Sequence, residues 1–380
     1  MFGRTGAVKT CSLLVPLKMK AILLMLLMFQ AVRLTSQSEL ESVNEESDAN
    51  YNNDNRFLEG KVSRRSANDD TITIQLRHRS NISWEFLAIS FNLTTEDLEL
   101  SYETIWNEGK RTVTLKRARG PAEDKKDLHA DEYHTSKQTR NKNATKQHGD
   151  INQRVRAKRV IVGEDERKNL PSSSKAQKSP HSAACKVSCK GFCSWSCSGI
   201  LIGQRHVLTS AHCIDDVNVA TLQAGFLERN GRLQWYGVSK AYVPLRWKIS
   251  KDDDYAVLKL RGLPNRRSFV HISSMSLPTG SMISITGFPS DKAPSSLWMS
   301  KCRALKVTSG LIWNDCDAAR GSSGSGVLLK DTSSGSTRTV VVGVLSREGT
   351  LRRGSKKLRL NVAVHLTGTR LSQVNEWTSE

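Results

Sequence analysis

The sequence predicts an all-β domain over residues 160–380, preceded by a signal peptide at 1–38 and a largely disordered propeptide at 39–159. Three observations carry that reading. From about residue 183, apolar runs of four to eight residues recur, broken by Gly, Pro, Ser and Asp. That is the pattern of many short strands joined by turns, a sandwich or a barrel. The one long apolar run, residues 21–32, is too short to span a bilayer. Residues 116–159 are Lys, Arg, Asp and His with almost no apolar content, and cannot bury enough surface to pack.

The signal peptide rests on Lys18 and Lys20 before the apolar run, and on Ser36 and Ser38 as small residues at a cleavage site. It implies a secreted, extracellular protein with no membrane span. Asn81, Asn92 and Asn143 each open an Asn-x-Ser/Thr triplet, a glycosylation acceptor in that compartment. Losing Cys11 with the signal leaves Cys185, Cys189, Cys193, Cys197, Cys213, Cys302 and Cys316. In an oxidising compartment these read as disulfides with one thiol left over. The spacing of the first three fits no common zinc pattern, so no metal and no cofactor is expected.

Within the propeptide, residues 39–68 are Ser, Asn, Glu and Asp, and are expected to be disordered. Strand-like runs follow at 71–76, 84–93 and 112–115. Arg156, Lys158 and Arg159 then form an Arg-x-Lys-Arg sequence at the end of the unpackable stretch, where proteolysis concentrates. A furin-type convertase is the expected partner, cutting between Arg159 and Val160. In the domain itself, strands are expected at 199–202, 205–208, 255–260, 282–288, 326–329 and 340–345. Leu371, Val374 and Trp377, three apart behind Thr369, predict one short amphipathic C-terminal helix.

Charge narrows the partners. The chain holds 57 Lys+Arg against 37 Asp+Glu, net +20, and residues 160–380 hold 31 against 16 of these. Arg352, Arg353, Lys356, Lys357 and Arg359 cluster tightly, with Arg266 and Arg267 elsewhere. Such clusters suit sulfated glycans such as heparan sulfate. No nucleic-acid module is recognisable and the compartment is wrong for one, so nucleic acid is excluded.

Three segments carry chemistry. Thr209–Cys213 (TSAHC) follows a strand-like run, and a disulfide from Cys213, with Cys197 as the expected partner, would fix His212 as a general base. Asp254 stands at the mouth of the next apolar run, where a carboxylate can orient an imidazole. Residues 321–326 (GSSGSG) let the backbone turn tightly, expose one hydroxyl and aim N–H groups at an oxyanion.

TSAHC and GSSGSG, in that order with Asp254 between, resemble the chymotrypsin–trypsin clan of serine peptidases. CSGILIGQRHVLTSAHC, DDDYAVLKL, CDAARGSSGSGV and LNVAVHLT are similar to motifs of its vertebrate subgroup of serine protease 23 and serine protease 35, as is the propeptide run at 100–115. The resemblance implies a trypsin-like fold of two six-stranded antiparallel β-barrels with the site in the cleft between them, and hydrolysis of protein or peptide substrates. It implies a triad of His212, Asp254 and Ser323, an oxyanion hole from the N–H groups of Gly321 and Ser323, and disulfides Cys197–Cys213 and Cys302–Cys316. It places Ser346 on the strand that pairs with substrate backbone. It puts Asp317 where trypsin-like enzymes keep the carboxylate that selects Arg or Lys, although glutamyl endopeptidases carry a similar Asp and cleave after Glu. Asn361 falls near the Gly of the far pocket wall.

One departure bears on activation. Residue 322 is Ser, where trypsin-like zymogens keep the Asp that receives the new N-terminal ammonium. The convertase cut is then expected to release the propeptide. The alternative function is a weak or inactive peptidase homologue that binds matrix or heparin.

Overall fold

The strand-rich pattern resolves into seventeen strands and two α-helices in a computed structural model that describes residues 62–64, 71–76, 87–88, 91–118, 160–191, 193–215, 217–265, 267–332 and 335–380. Before Arg159 lie β1 (Val62–Arg64), β2 (Thr71–Leu76), α1 (Thr95–Leu100), β3 (Tyr102–Trp106) and β4 (Arg111–Lys116). Then come β5 (Lys168–Leu170), β6 (Ala184–Cys189), β7 (Cys197–Leu201), β8 (His206–Thr209), β9 (Leu222–Leu227), β10 (Leu233–Pro244) and β11 (Ala256–Leu260). The remainder is β12 (Met282–Gly287), β13 (Leu297–Val307), β14 (Leu311–Asn314), β15 (Gly326–Asp331), β16 (Arg338–Arg353), β17 (Lys356–His365) and α2 (Gly368–Ser379).

Two six-stranded antiparallel barrels result. The first runs β10-β11-β8-β7-β6-β9 and closes by β9 pairing back to β10; the second runs β12-β15-β16-β17-β14-β13 and closes by β12 on β13. Closure removes the exposed strand edges that an open sheet would present. Each barrel has its own apolar filling, Leu201, Leu222, Phe226 and Leu258 in the first and Ile285, Ile312, Val327 and Val342 in the second. The strands expected at 199–202, 205–208, 255–260, 282–288 and 326–329 fall within a residue or two of β7, β8, β11, β12 and β15, and the one at 340–345 lies inside β16, which runs eight residues further. The expected C-terminal helix is α2, with Val374 and Trp377 fully buried. Among the described residues no helix is long and apolar enough to cross a membrane.

The segment before Arg159 contributes to this architecture. β2 and β4 appear where the sequence reading puts strands, but Leu87 and Ala88 are helical, so the run at 84–93 is not one strand. β3 pairs with β10 from Tyr102↔Pro244 to Trp106↔Lys240, and β4 and β2 continue the sheet outward. Ile74, Leu76, Leu87, Leu98, Val113 and Leu115 close on Leu245 of the first barrel. Burying each such side chain is worth roughly 1.5–3 kcal/mol before ordering costs. α1 is fixed by a reciprocal cap in which Thr94 Oγ1 accepts from Asp97 N–H and Asp97 Oδ2 accepts from Thr94 N–H. Asn92 is exposed in a left-handed turn just before it. Asn81, Asn143, Arg159, the signal peptide and residues 119–158 lie outside the described residues.

One buried histidine gives the fold an acid limit. His206, on β8, is 6% exposed and its Nε2 has no hydrogen-bond partner. Burial, reinforced by Lys259 and Arg205 and opposed by Glu380, pulls its pKa down to about 4. The unfolded chain, near the usual 6.5, takes up the proton first. Stability is therefore full above about pH 6.5 and falls towards about pH 4, by about 1.4 kcal/mol per pH unit for this one group. Thermal unfolding followed across that window should lose stability as pH falls, with His181 and His365, also lowered by burial, adding to it, and His206→Gln should lessen the loss.

Candidate active site

The register between β8 and β11 brings the first two residues together. Thr209 pairs with Ala256, so the turn three residues after Thr209 and the residue two before Ala256 leave the sheet at the same end. His212 sits in that turn, Ala211–Cys213, tied to β7 by the Cys197–Cys213 disulfide. Asp254 Oδ2 accepts from His212 Nδ1 at 2.7 Å, and Oδ1 accepts from the His212 backbone N–H at 2.9 Å. The Ser346 hydroxyl, from β16 of the second barrel, donates to Oδ2 at 2.5 Å. Asp254 is 2% exposed. Burial pushes its carboxyl up, but the His212 ring and the donors from His212 and Ser346 outweigh it and hold the carboxyl below the usual range. The pair leaves His212 Nε2 as the nitrogen that can take a proton.

Ser323 stands on the turn before β15. Its carbonyl accepts from Ser198 N–H at 2.7 Å, and Gly324 N–H donates to Leu345 O at 2.8 Å. Gly324 has φ +83°, and a Cβ there would lie 2.1 Å from Ser198 O. Only glycine fits where the loop crosses the first barrel. Ser323 and His212 both line one cavity of about 670 Å³, with Arg320, Gly321 and Lys186 on its walls.

The peptide between Arg320 and Gly321 is held in one orientation. Arg320 O accepts from Ser290 N–H at 2.6 Å. A trans peptide directs its N–H opposite to its C=O, so Gly321 N–H points away from Ser290. The Gly321 carbonyl accepts from Ser198 Oγ at 2.8 Å, and that oxygen accepts from Phe288 N–H at 2.8 Å. A Cβ on Gly321 (φ +88°) would sit 2.6 Å from Phe288 O. Gly321, Ser323 and His212 line the same cavity, and an N–H group held in one orientation there can stabilise a developing oxyanion.

One expected substrate residue, Asp317, has other surroundings. Asp317 is 5% exposed and is not among the residues lining the cavity. Its Oδ1 accepts from Val162 N–H and its Oδ2 from Glu166 N–H, each at 2.8 Å. Both oxygens serve the chain's own segment after residue 159. Asn361 lies against the same segment: its Nδ2 donates to Val160 O and Cys316 O, and Val160 N–H reaches its Oδ1 at 3.3 Å. Ser346 directs its hydroxyl at Asp254, so its side chain belongs to the His–Asp pair.

Among the described residues the disulfides are Cys197–Cys213, Cys302–Cys316 and Cys189–Cys193, and Cys185 is a buried free thiol. Cys197, Cys213 and His212 bring their ligand atoms within 4.8 Å of one another, but both sulfurs are spent in the disulfide. Ser198, Ser210, Ser290 and Arg167 escaped the sequence reading. Ser198 and Ser210 are fully buried hydroxyls at the ends of apolar strands. A polar residue in such a position is the signal that could have found them.

A family model described as Trypsin matches residues 171–370. The chain is 28% identical to serine protease 23 of Macaca mulatta over 319 residues, covering 73% of this chain and 75% of that protein. It is 26% identical to inactive serine protease 35 of Bos taurus over 353 residues, covering 74% and 79%. A solved structure, that of a Glu endopeptidase in complex with MPD, is 22% identical with a TM-score of 0.47, covering 58% of this chain and all of that one. With the matched segment spanning both barrels, this chain belongs to the trypsin family of serine peptidases.

Proposed function

We propose that this chain is a secreted serine endopeptidase, made as a proprotein and cut between Arg159 and Val160. The observation that carries the reading is the bonded His212–Asp254 pair opening on the same cavity as Ser323. In this reading His212 Nε2 takes the proton from Ser323 Oγ as that oxygen attacks the substrate carbonyl. The N–H groups of Gly321 and Ser323 hold the oxyanion. His212 then gives the proton to the leaving amine, and water, activated by the same nitrogen, releases the acyl group. The test is labelling with a fluorophosphonate probe. Secreted wild type should label and Ser323→Ala should not; a folded wild type that fails to label would end this reading.

Selection of Arg or Lys by Asp317 finds no support in its surroundings. The cavity walls argue for acidic substrates instead. Lys186, Lys292 and Arg320 line them, and the one carboxylate, Asp215, is bridged to Lys248 at 2.7 Å. Lys292 is itself paired with Asp165, which leaves Lys186 and Arg320 facing a substrate. Peptide-library cleavage should favour Asp or Glu near the scissile bond, and Arg320→Glu should lower kcat/KM on such peptides about tenfold. An unchanged profile would remove Arg320 from recognition.

Release of the propeptide is also not what its packing favours. Residues 39–159 hold no cysteine, but β3 and β4 extend the first barrel's sheet, and α1 packs in the apolar cluster that closes on Leu245. The cut product is a two-chain protein without a covalent link. After convertase cleavage the two pieces should co-elute in native buffer and separate on a denaturing gel.

A matrix-binding role has one supporting observation. At the tip of the β16–β17 hairpin Arg352 lies opposite Lys357, and like charges directly across a strand pair repel. A sulfated glycan would relieve that repulsion, whereas Arg359 is already paired with Glu348. Loss of heparin retention in an Arg352→Ala/Lys357→Ala variant is the expected result.

A further inference from the structure

The segment that follows the cut site is already seated in the uncut chain, and its contacts lead to the Arg320–Gly321 peptide by two routes. On one side, Asp317 collects the N–H groups of Val162 and Glu166, and Ala318 N–H donates to Val160 O at 3.1 Å. Asp317 and Ala318 lead directly into Arg320. On the other side stands Arg167, whose side chain is 3% exposed. Its guanidinium donates Nε to Asp165 Oδ1 at 2.8 Å, and Nη1 and Nη2 to the two oxygens of Asp291 at 3.0 and 2.5 Å. Asp291 is bonded to Ser290, whose N–H holds the Arg320 carbonyl at 2.6 Å. Arg167, Asp317, Ser322 and Ser325 together line a residual space of about 10 Å³, too small for an inserted chain terminus.

We propose that Arg167 is a built-in positioning residue that keeps the oxyanion peptide in place without a new N-terminus. The inference rests on the peptidase reading for its functional meaning. A buried fork-to-carboxylate pair fixes geometry as well as charge, and a guanidinium supplies a permanent cation. It stands where a carboxylate at residue 322 would otherwise have to receive an ammonium, and residue 322 is Ser. Formation of the site then does not wait for cleavage at Arg159.

Two readouts test this separately from catalysis as such. In the Ser323→Ala background, hydrogen exchange of the Ser322, Gly324 and Ser325 amides should be equally slow in cut protein and in an uncut Arg159→Gln chain. Arg167→Met should speed exchange there at least tenfold while β8 and β11 keep their protection, and Arg167→Lys should restore part of it. If Arg167→Met does not fold, Asp291→Ala removes both acceptors from the exposed partner and should give the same local change. Unchanged exchange at residues 322–325 in the folded variants would overturn the proposal, as would exchange there that is fast in the uncut chain and slow only in the cut protein. In the active background the uncut chain should label with fluorophosphonate within about threefold of the cut one. Arg167→Met should slow labelling about a hundredfold, the scale of losing one oxyanion donor. Correct exchange behaviour with no labelling of any variant would leave the positioning role of Arg167 standing and remove the peptidase reading instead.

Discussion

Replacing Asp254 by Asn is expected to lower the turnover of a peptide substrate about ten-thousand-fold, the scale of the same change in another triad. Asp254 accepts three donors: the His212 backbone N–H, His212 Nδ1–H and the Ser346 hydroxyl. An amide offers one oxygen and one NH₂ group, so at least one donor must face another donor. The cheapest escape is for imidazole to move its proton to Nε2, which removes the base from the side facing Ser323. Because the amide is nearly the same size as the carboxylate, the fold should hold, and the loss should appear in kcat with KM nearly unchanged. Ser346→Ala, which removes one donor and leaves the tautomer alone, should cost about tenfold or less. Turnover of Asp254→Asn within tenfold of wild type would take Asp254 out of the mechanism.

The residues of this site were legible in the sequence because each sits where a strand ends. His212 follows β8, Asp254 precedes β11 and Ser323 precedes β15, and a short apolar run shows where its own ends are. What holds those ends against one another was not legible. Ser198 Oγ bonding to Gly321 O spans 123 positions, and Ser346 Oγ to Asp254 spans 92. Single hydroxyls in apolar strands carry no periodic signal of a partner so distant. Asp317 shows the opposite failure. Its position relative to Ser323 matches a specificity residue, yet the N–H groups it binds come from 151 and 155 positions away. The same limit applies to the region before Arg159. β2 and β4 were visible as alternating runs, but that β3 docks on β10 depends on the outer edge of a barrel that sequence alone does not draw.

Trp377→Ala is expected to cost about 3–5 kcal/mol, the range for truncating a fully buried Trp, and to lower Tm by roughly 10 °C. The indole is 0% exposed and stands where three parts of the chain meet. Tyr242 and Tyr255 of the first barrel stack on it at 5.9 and 5.8 Å, and Tyr102 of β3 meets it edge-on at 5.5 Å. Beside it, Glu376 of α2 accepts from Tyr102 Oη at 2.9 Å and pairs with Lys116 of β4. α2 therefore clamps the segment before Arg159 onto the barrel, and the cost of the truncation depends on whether the Arg159–Val160 bond is intact. In the uncut chain the loosened segment stays tethered, and the change is read as stability alone. In the cut protein nothing covalent holds it, so Trp377→Ala should release the N-terminal piece that wild type retains. Trp377→Phe separates packing from hydrogen bonding. The indole Nε1 has no partner, so an aromatic ring without that N–H keeps the stacking and sheds a buried polar group. It should lose less than about half of what Ala loses and keep the two pieces together. A Trp377→Ala protein that melts like wild type and retains both pieces after cleavage would show that the β3–β10 pairing alone holds the segment.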